Sequence, residues 1–82
     1  MGRAGKALKK VLENYGITQN RLAVVMGITR SSVHRWVYEI GDPVADAVIE
    51  IRDALQKINP EAAEEFIRLY LGETYEDEEQ SY

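Results

Sequence analysis

The chain has no cysteine. Neither a disulfide framework nor a thiolate metal site can be built, which fits a reducing compartment. Its single histidine, His34, has Arg30 and Tyr38 at the positions four residues away, where a second metal ligand on the same helical face would stand. It therefore reads neither as a metal ligand nor as the base of a nucleophile pair. No apolar run approaches the roughly 20 residues of a membrane span, and no apolar signal segment follows the first residues. The expectation is a soluble, cytoplasmic protein. There is no phosphate-cradling glycine loop, no metal cluster and no room for a substrate pocket of ordinary size. An enzyme is rejected on these grounds, and no cofactor, metal or small-molecule substrate is expected. Strand-like alternation is missing too, and the chain shows no internal repeat.

What is present is helical periodicity. Eighty-two residues, 45% of them hydrophobic, suit one small all-α domain. The spacing predicts five helices, over residues 5–14, 19–26, 30–37, 43–58 and from 60 to about 71. Ala7, Leu8, Val11, Leu12 and Tyr15 form the apolar stripe of the first, and Gly16 with Ile17 closes it. Asp42-Pro43 is a start signal for the fourth, an acceptor at the cap followed by a residue whose missing N–H costs nothing there. Val44, Ala47, Val48, Ile51, Ala54, Leu55 and Ile58 would face inward. Asn59-Pro60 repeats that signal for the fifth, with Glu61, Glu64 and Glu65 near its positive end. The ordered domain is expected over residues 1–72, with Gly72 closing it. Residues 73–82 carry five acidic groups and no aliphatic side chain, so a disordered acidic tail is expected.

The most informative segment runs from Thr18 to Trp36. Gly27 can end one helix with positive φ, and Thr29 can accept from the first free N–H groups of the next. Leu22, Ala23, Met26, Ile28, Val33 and Trp36 are spaced to share one apolar centre. Ala23 falls where the two helices should cross most closely. Charge divides along the chain: residues 1–35 carry seven Lys and Arg against Glu13 alone, net +6. Residues 36–82 carry three against thirteen Asp and Glu, net −10. Such a polarised molecule presents one face to a polyanion, although solvated helix faces would also account for the pattern.

The pattern TQ-x2-LA-x2-MGI-x-RSSV-x-RW, from Thr18 to Trp36, resembles the helix-turn-helix of the Cro/phage-repressor, or Xre-like, transcriptional regulators. The resemblance extends more loosely to the leading helix ending at Gly16 and to the Gly41-Asp42-Pro43 exit. It implies a compact, lambda-repressor-like five-helix bundle, with the motif over residues 18–38. The implied function is a sequence-specific DNA-binding regulator, most simply a repressor, that reads the major groove with the helix over 30–37 and binds double-stranded DNA as a homodimer.

By spacing, Val33, Trp36 and Val37 face inward, leaving Arg30, Ser31, His34 and Arg35 outward as base-contacting candidates. The resemblance places base reading on Arg30, Ser31 and Arg35 and a phosphate anchor on Gln19. Arginine suits bidentate donation to guanine O6 and N7, though either arginine could hold a phosphate instead. Gln19, Asn20, Arg21, Ser32, Lys6 and Lys10 complete the phosphate-contacting candidates, with Lys9 flanking them. Phe66, Leu69, Tyr70 or Leu71 of the fifth helix would supply the dimer surface or equally cover the core. One departure from the family is an acidic exit loop, Glu39 and Asp42. It supports the alternative of a protein-interaction module on the same fold, such as an antitoxin or adaptor.

Overall fold

The computed structural model describes residues 2–38 and 41–80, and of residues 73–80 it describes the backbone alone. The helices are α1 (Arg3–Tyr15), α2 (Gln19–Met26), α3 (Arg30–Tyr38), α4 (Ala45–Ile58) and α5 (Pro60–Gln80). No strand occurs among the described residues. The all-α five-helix expectation holds. α5 packs chiefly against α4 and α1, α2 packs against α3, and α1 and α2 reach α3 and α4 respectively. One core joins all five helices: Leu8 and Val11 from α1, Leu22 from α2, Val33 and Val37 from α3, Ile51 and Leu55 from α4, and Phe66 from α5. Burying these apolar side chains is the main stabilising term available to a chain without cross-links.

The two corners that frame α2 are built alike. Gly16 and Gly27 stand at φ 62° and 73°, where a β-carbon would be strained. The next residues, Ile17 and Ile28, donate their N–H back to the carbonyls of Leu12 and Ala23 at 2.9 and 3.0 Å. This is the Schellman ending. Gly-Ile-Thr occurs twice, at 16–18 and 27–29, a short structural repeat where none was expected. Thr18 completes the first corner by accepting from the backbone N–H of Arg21 at 3.0 Å. The second corner differs from expectation. The hydroxyl of Thr29 pairs with the hydroxyls of Ser31 and Ser32 at 3.0 and 3.2 Å, in place of a backbone N–H.

Helix α4 begins two residues later than expected. Its cap is Val44, with no side-chain cap bond, and Val44 is 71% exposed, not inward-facing. The reason lies with Asp42, whose Oδ1 accepts the N–H of Gly5 at 2.8 Å. The carboxylate caps the N-terminus of α1 from 37 residues away, so the chain enters α4 through Pro43, which is buried. The Asn59 signal behaves as expected: its Oδ1 accepts from the N–H of Glu61 at 3.0 Å. α5 does not end at Gly72. Its backbone stays helical to Gln80, because one glycine costs only about 1 kcal/mol in a helix rich in good helix formers. The expected disorder of the 73–82 tail falls on residues whose side chains lie outside the described set.

Candidate nucleic-acid interface

Leu22 and Ala23 of α2 are buried against Val33 and Val37 of α3, and Met26, Ile28 and Trp36 pack at the edge of the same core. With Val33 and Val37 turned inward, helical geometry sends His34 and Arg35 outward, and Arg30 and Ser31 stand on the first turn of the helix. Arg30, Ser31, His34 and Arg35 are all exposed, and Ser32 is half-buried. The four candidates for base contact thus share the free side of one short helix.

An open groove of about 760 Å³ lies between the end of α1, the first corner and α3. Lys9, Glu13, Gln19, Asn20, Arg30 and Tyr38 are among the residues that line it. Two contacts between helices, joined by a third within α3, tie its walls together. Lys9 Nζ sits 5.1 Å from the centre of the Tyr38 ring, a cation–π pairing across α1 and α3. The Tyr38 ring packs on His34 with centroids 4.8 Å apart. His34 Nδ1 lies 3.3 Å from Oε1 of Gln19, which joins α3 to the first residue of α2. Lys9 is the lysine of α1 that enters this groove. No spacing rule separates it from Lys6 and Lys10, since all three lie on the free side of one amphipathic helix.

Of the remaining candidates only Asn20 reaches the groove. Lys10 is close enough to α5 to contribute, weakly, to the field at Glu65. Lys6, Asn20 and Arg21 are exposed, with Asn20 at the groove and Lys6 and Arg21 outside its lining. Phe66 is fully buried in the chain's own core, so it has no surface to offer a second copy. Leu69 and Tyr70 are half-buried and Leu71 is 50% exposed. Asp42 is committed to the α1 N-terminus, and Glu39 lies outside the described residues.

Away from the groove, Glu65 ties α5 to α1. Asn14 Nδ2 donates to its Oε2 at 3.0 Å and Arg68 Nη2 to its Oε1 at 2.8 Å. The hydrogen bond from Asn14, then that from Arg68, hold the Glu65 carboxyl below its ordinary range, against an opposing push from partial burial. Tyr15 is pushed up, first by burial and then by the nearby Glu65 charge.

Two helices at a tight glycine corner, the second with a free polar face, form the arrangement that a model of the helix-turn-helix family matches over residues 8–62. The chain belongs to the helix-turn-helix family. The match runs from the middle of α1 to the start of α5, so both corners and the groove fall within it. A curated relative from Methanocaldococcus jannaschii, named "Putative HTH-type transcriptional regulatory protein MJ1164", is 33% identical over 51 residues. That stretch is 62% of this chain and 16% of the relative, so the chain spans about a sixth of that protein's length. No solved structure matches the chain. The matched family is a helix-turn-helix family and not a family of enzymes.

Proposed function

We propose that this helix-turn-helix protein is a sequence-specific DNA-binding regulator that inserts α3 into the major groove and acts as a repressor by occupying its site. The observation that carries the reading is the exposure of Arg30, Ser31, His34 and Arg35 together on the one face of α3 that the core leaves free. Long donors on that face suit base edges, and arginine suits guanine in particular. Gln19, Asn20 and Lys9 border the same groove and suit the phosphates on either side, which position the helix without reading sequence. Ser31 and Ser32 share their hydroxyls with Thr29, so they add little discrimination of their own. The relative's printed name, a transcriptional regulatory protein, supports the same role here.

A single module of this size covers a short half-site, and pairing on a two-fold site supplies the missing affinity. The homodimer uses the side of α5 that carries Leu69, Tyr70 and Leu71. The alternative of a pure protein-interaction module drew its support from the acidic exit loop. Asp42 has a structural partner at α1, and that support weakens.

Selection from a random-sequence duplex pool, followed by sequencing of the bound fraction, tests the reading. Arg30→Ala and Arg35→Ala are expected to weaken the selected site by about 1–3 kcal/mol each with a smaller loss on random DNA, whereas Lys9→Ala weakens both about equally. Equal losses on both duplexes for the arginine variants would move base reading to other residues. Sedimentation velocity with and without the selected site checks the dimer, and a reporter carrying that site over its promoter checks repression.

A further inference from the structure

His34 stands on the exposed side of α3 with Nδ1 3.3 Å from Oε1 of Gln19. An amide oxygen only accepts, so this contact is a hydrogen bond in the tautomer that carries its proton on Nδ1. That one bond has two consequences. The Gln19 amide is held with its oxygen toward His34, and its NH2 group is left as the outward donor. In the neutral ring, Nε2 then has a lone pair and no proton, so it can accept but not donate. The assembly is braced: Tyr38 packs its ring against the imidazole, and Lys9 from α1 sits over that tyrosine.

We infer that Gln19 and His34 form one proton-responsive contact to the DNA backbone, in which His34 keeps the Gln19 donors outward and, once protonated, adds a donor and a positive charge beside them. The inference rests on the DNA-binding reading above. A phosphate oxygen offers only lone pairs, so the neutral ring meets it with a mismatched acceptor at Nε2. The imidazolium meets it with a charged N–H, the stronger kind of hydrogen bond. Protonation leaves the Gln19 bond in place, because Nδ1 carries a proton in both forms. Affinity therefore rises as pH falls while the fold stays the same.

Tyr38 of α3 packs on the ring and carries Lys9 of α1 over its own face; Arg30 and Arg35 are the charged neighbours of His34 along α3, and Glu13 of α1 lines the adjoining groove. From α2 the groove receives only the uncharged Gln19 and Asn20. Among these side-chain types, imidazole is the one suited to change charge between about pH 5 and 8. Towards Gln19, His34 is a positioning residue; towards phosphate it is a direct donor, a role that takes it out of the base-contacting set and leaves Arg30, Ser31 and Arg35 there.

The test is fluorescence anisotropy with the full chain on a random-sequence duplex, titrated with salt at about pH 5.5 and pH 8. Wild type is compared with His34→Asn, which keeps a donor near Nδ1 and cannot titrate, and with Gln19→Ala, His34→Ala and the double alanine variant. For wild type, the slope of log K against log salt is expected to steepen by about 1 at the lower pH, one further phosphate being neutralised. For His34→Asn the slope stays unchanged. At the higher pH the double alanine variant is expected to bind no more weakly than Gln19→Ala alone, since the pair acts as a unit. Equal steepening in wild type and His34→Asn would overturn the inference, as would strictly additive alanine losses. Salt-dependent binding indifferent to pH would sink this inference and leave the DNA reading standing. Failure of the folded wild type to bind any duplex at either pH would remove both.

Discussion

A β-carbon placed on Gly2 would stand 2.5 Å from Cγ of Asp42. The missing side chain is what lets the carboxylate reach the N–H of Gly5 at the positive end of α1. Gly2→Ala and Asp42→Ala therefore disturb one and the same interaction. Each is expected to destabilise the domain by about 1 kcal/mol, the usual worth of an N-terminal cap. The double variant should cost no more than Asp42→Ala alone, which urea denaturation of the three proteins would show. Losses that simply add would mean the methyl group disturbs something other than the cap.

Glu65 is a second residue whose role is set across elements. Its carboxyl is held below the ordinary range by Asn14 and Arg68, so the folded state binds its proton more weakly than the unfolded chain. This contribution to stability is complete above the unfolded value and is lost as pH falls through the folded one. Asn14→Ala should raise the Glu65 value, readable from its carboxyl carbon shift in an NMR titration. The variant should be less stable than wild type near neutral pH and converge on it in acid. A difference that persists once the carboxylate is protonated would point to lost packing at Asn14.

At the scale of elements, α2 and α3 act as one unit because small and bent positions coincide. Ala23 is buried, 2% exposed, and its carbonyl receives the N–H of Ile28 across the corner at 3.0 Å. Ala23→Leu adds three carbons to this filled space and should cost about 1–3 kcal/mol by overpacking. The α2–α3 angle would change with it, so DNA affinity should fall by more than the loss of stability explains at temperatures where the variant is still folded. Circular dichroism melts alongside binding curves separate the two effects. A variant that melts and binds like wild type would show that the crossing has slack.

The whole molecule is electrically lopsided, with net +6 before residue 36 and net −10 after it. Among the described residues, none of acidic α4 or α5 lines the groove with Lys9 and Arg30. A flexible or projecting acidic segment can compete with phosphate for Lys and Arg. Residues 73–82 carry five of the thirteen acidic groups of that half. The core contributed by α5 is in place by Tyr70. Deleting residues 73–82 is therefore expected to leave the melting temperature nearly unchanged and to raise affinity for random DNA at low salt. A truncated protein of unchanged affinity would leave the segment no part in binding.

Local chemistry made the order of helices, both glycine corners and the outward set on α3 legible in the linear pattern. The endings at Gly16 and Gly27 and the Asn59-Pro60 start depend on neighbours within about five residues along the chain, whereas the cap expected from Thr29 gives way to one from Thr18 at the other corner. The burial of Val33 and Val37 beside exposed Arg35 follows from helical period, whereas Arg30 shares their stripe and is exposed as the first residue of α3. Contacts between distant segments were not legible. Asp42 carried the local signature of a cap for α4, yet it serves α1, because a carboxylate goes to whichever free N–H groups the fold brings nearest. Phe66 looked available to a partner until α1 and α4 closed over α5. Lys9 became the groove lysine only when Tyr38 was folded beneath it. Likewise the link from His34 to Gln19 spans 15 residues, a separation at which the path of the backbone, and not the spacing of residue types, decides which side chains meet.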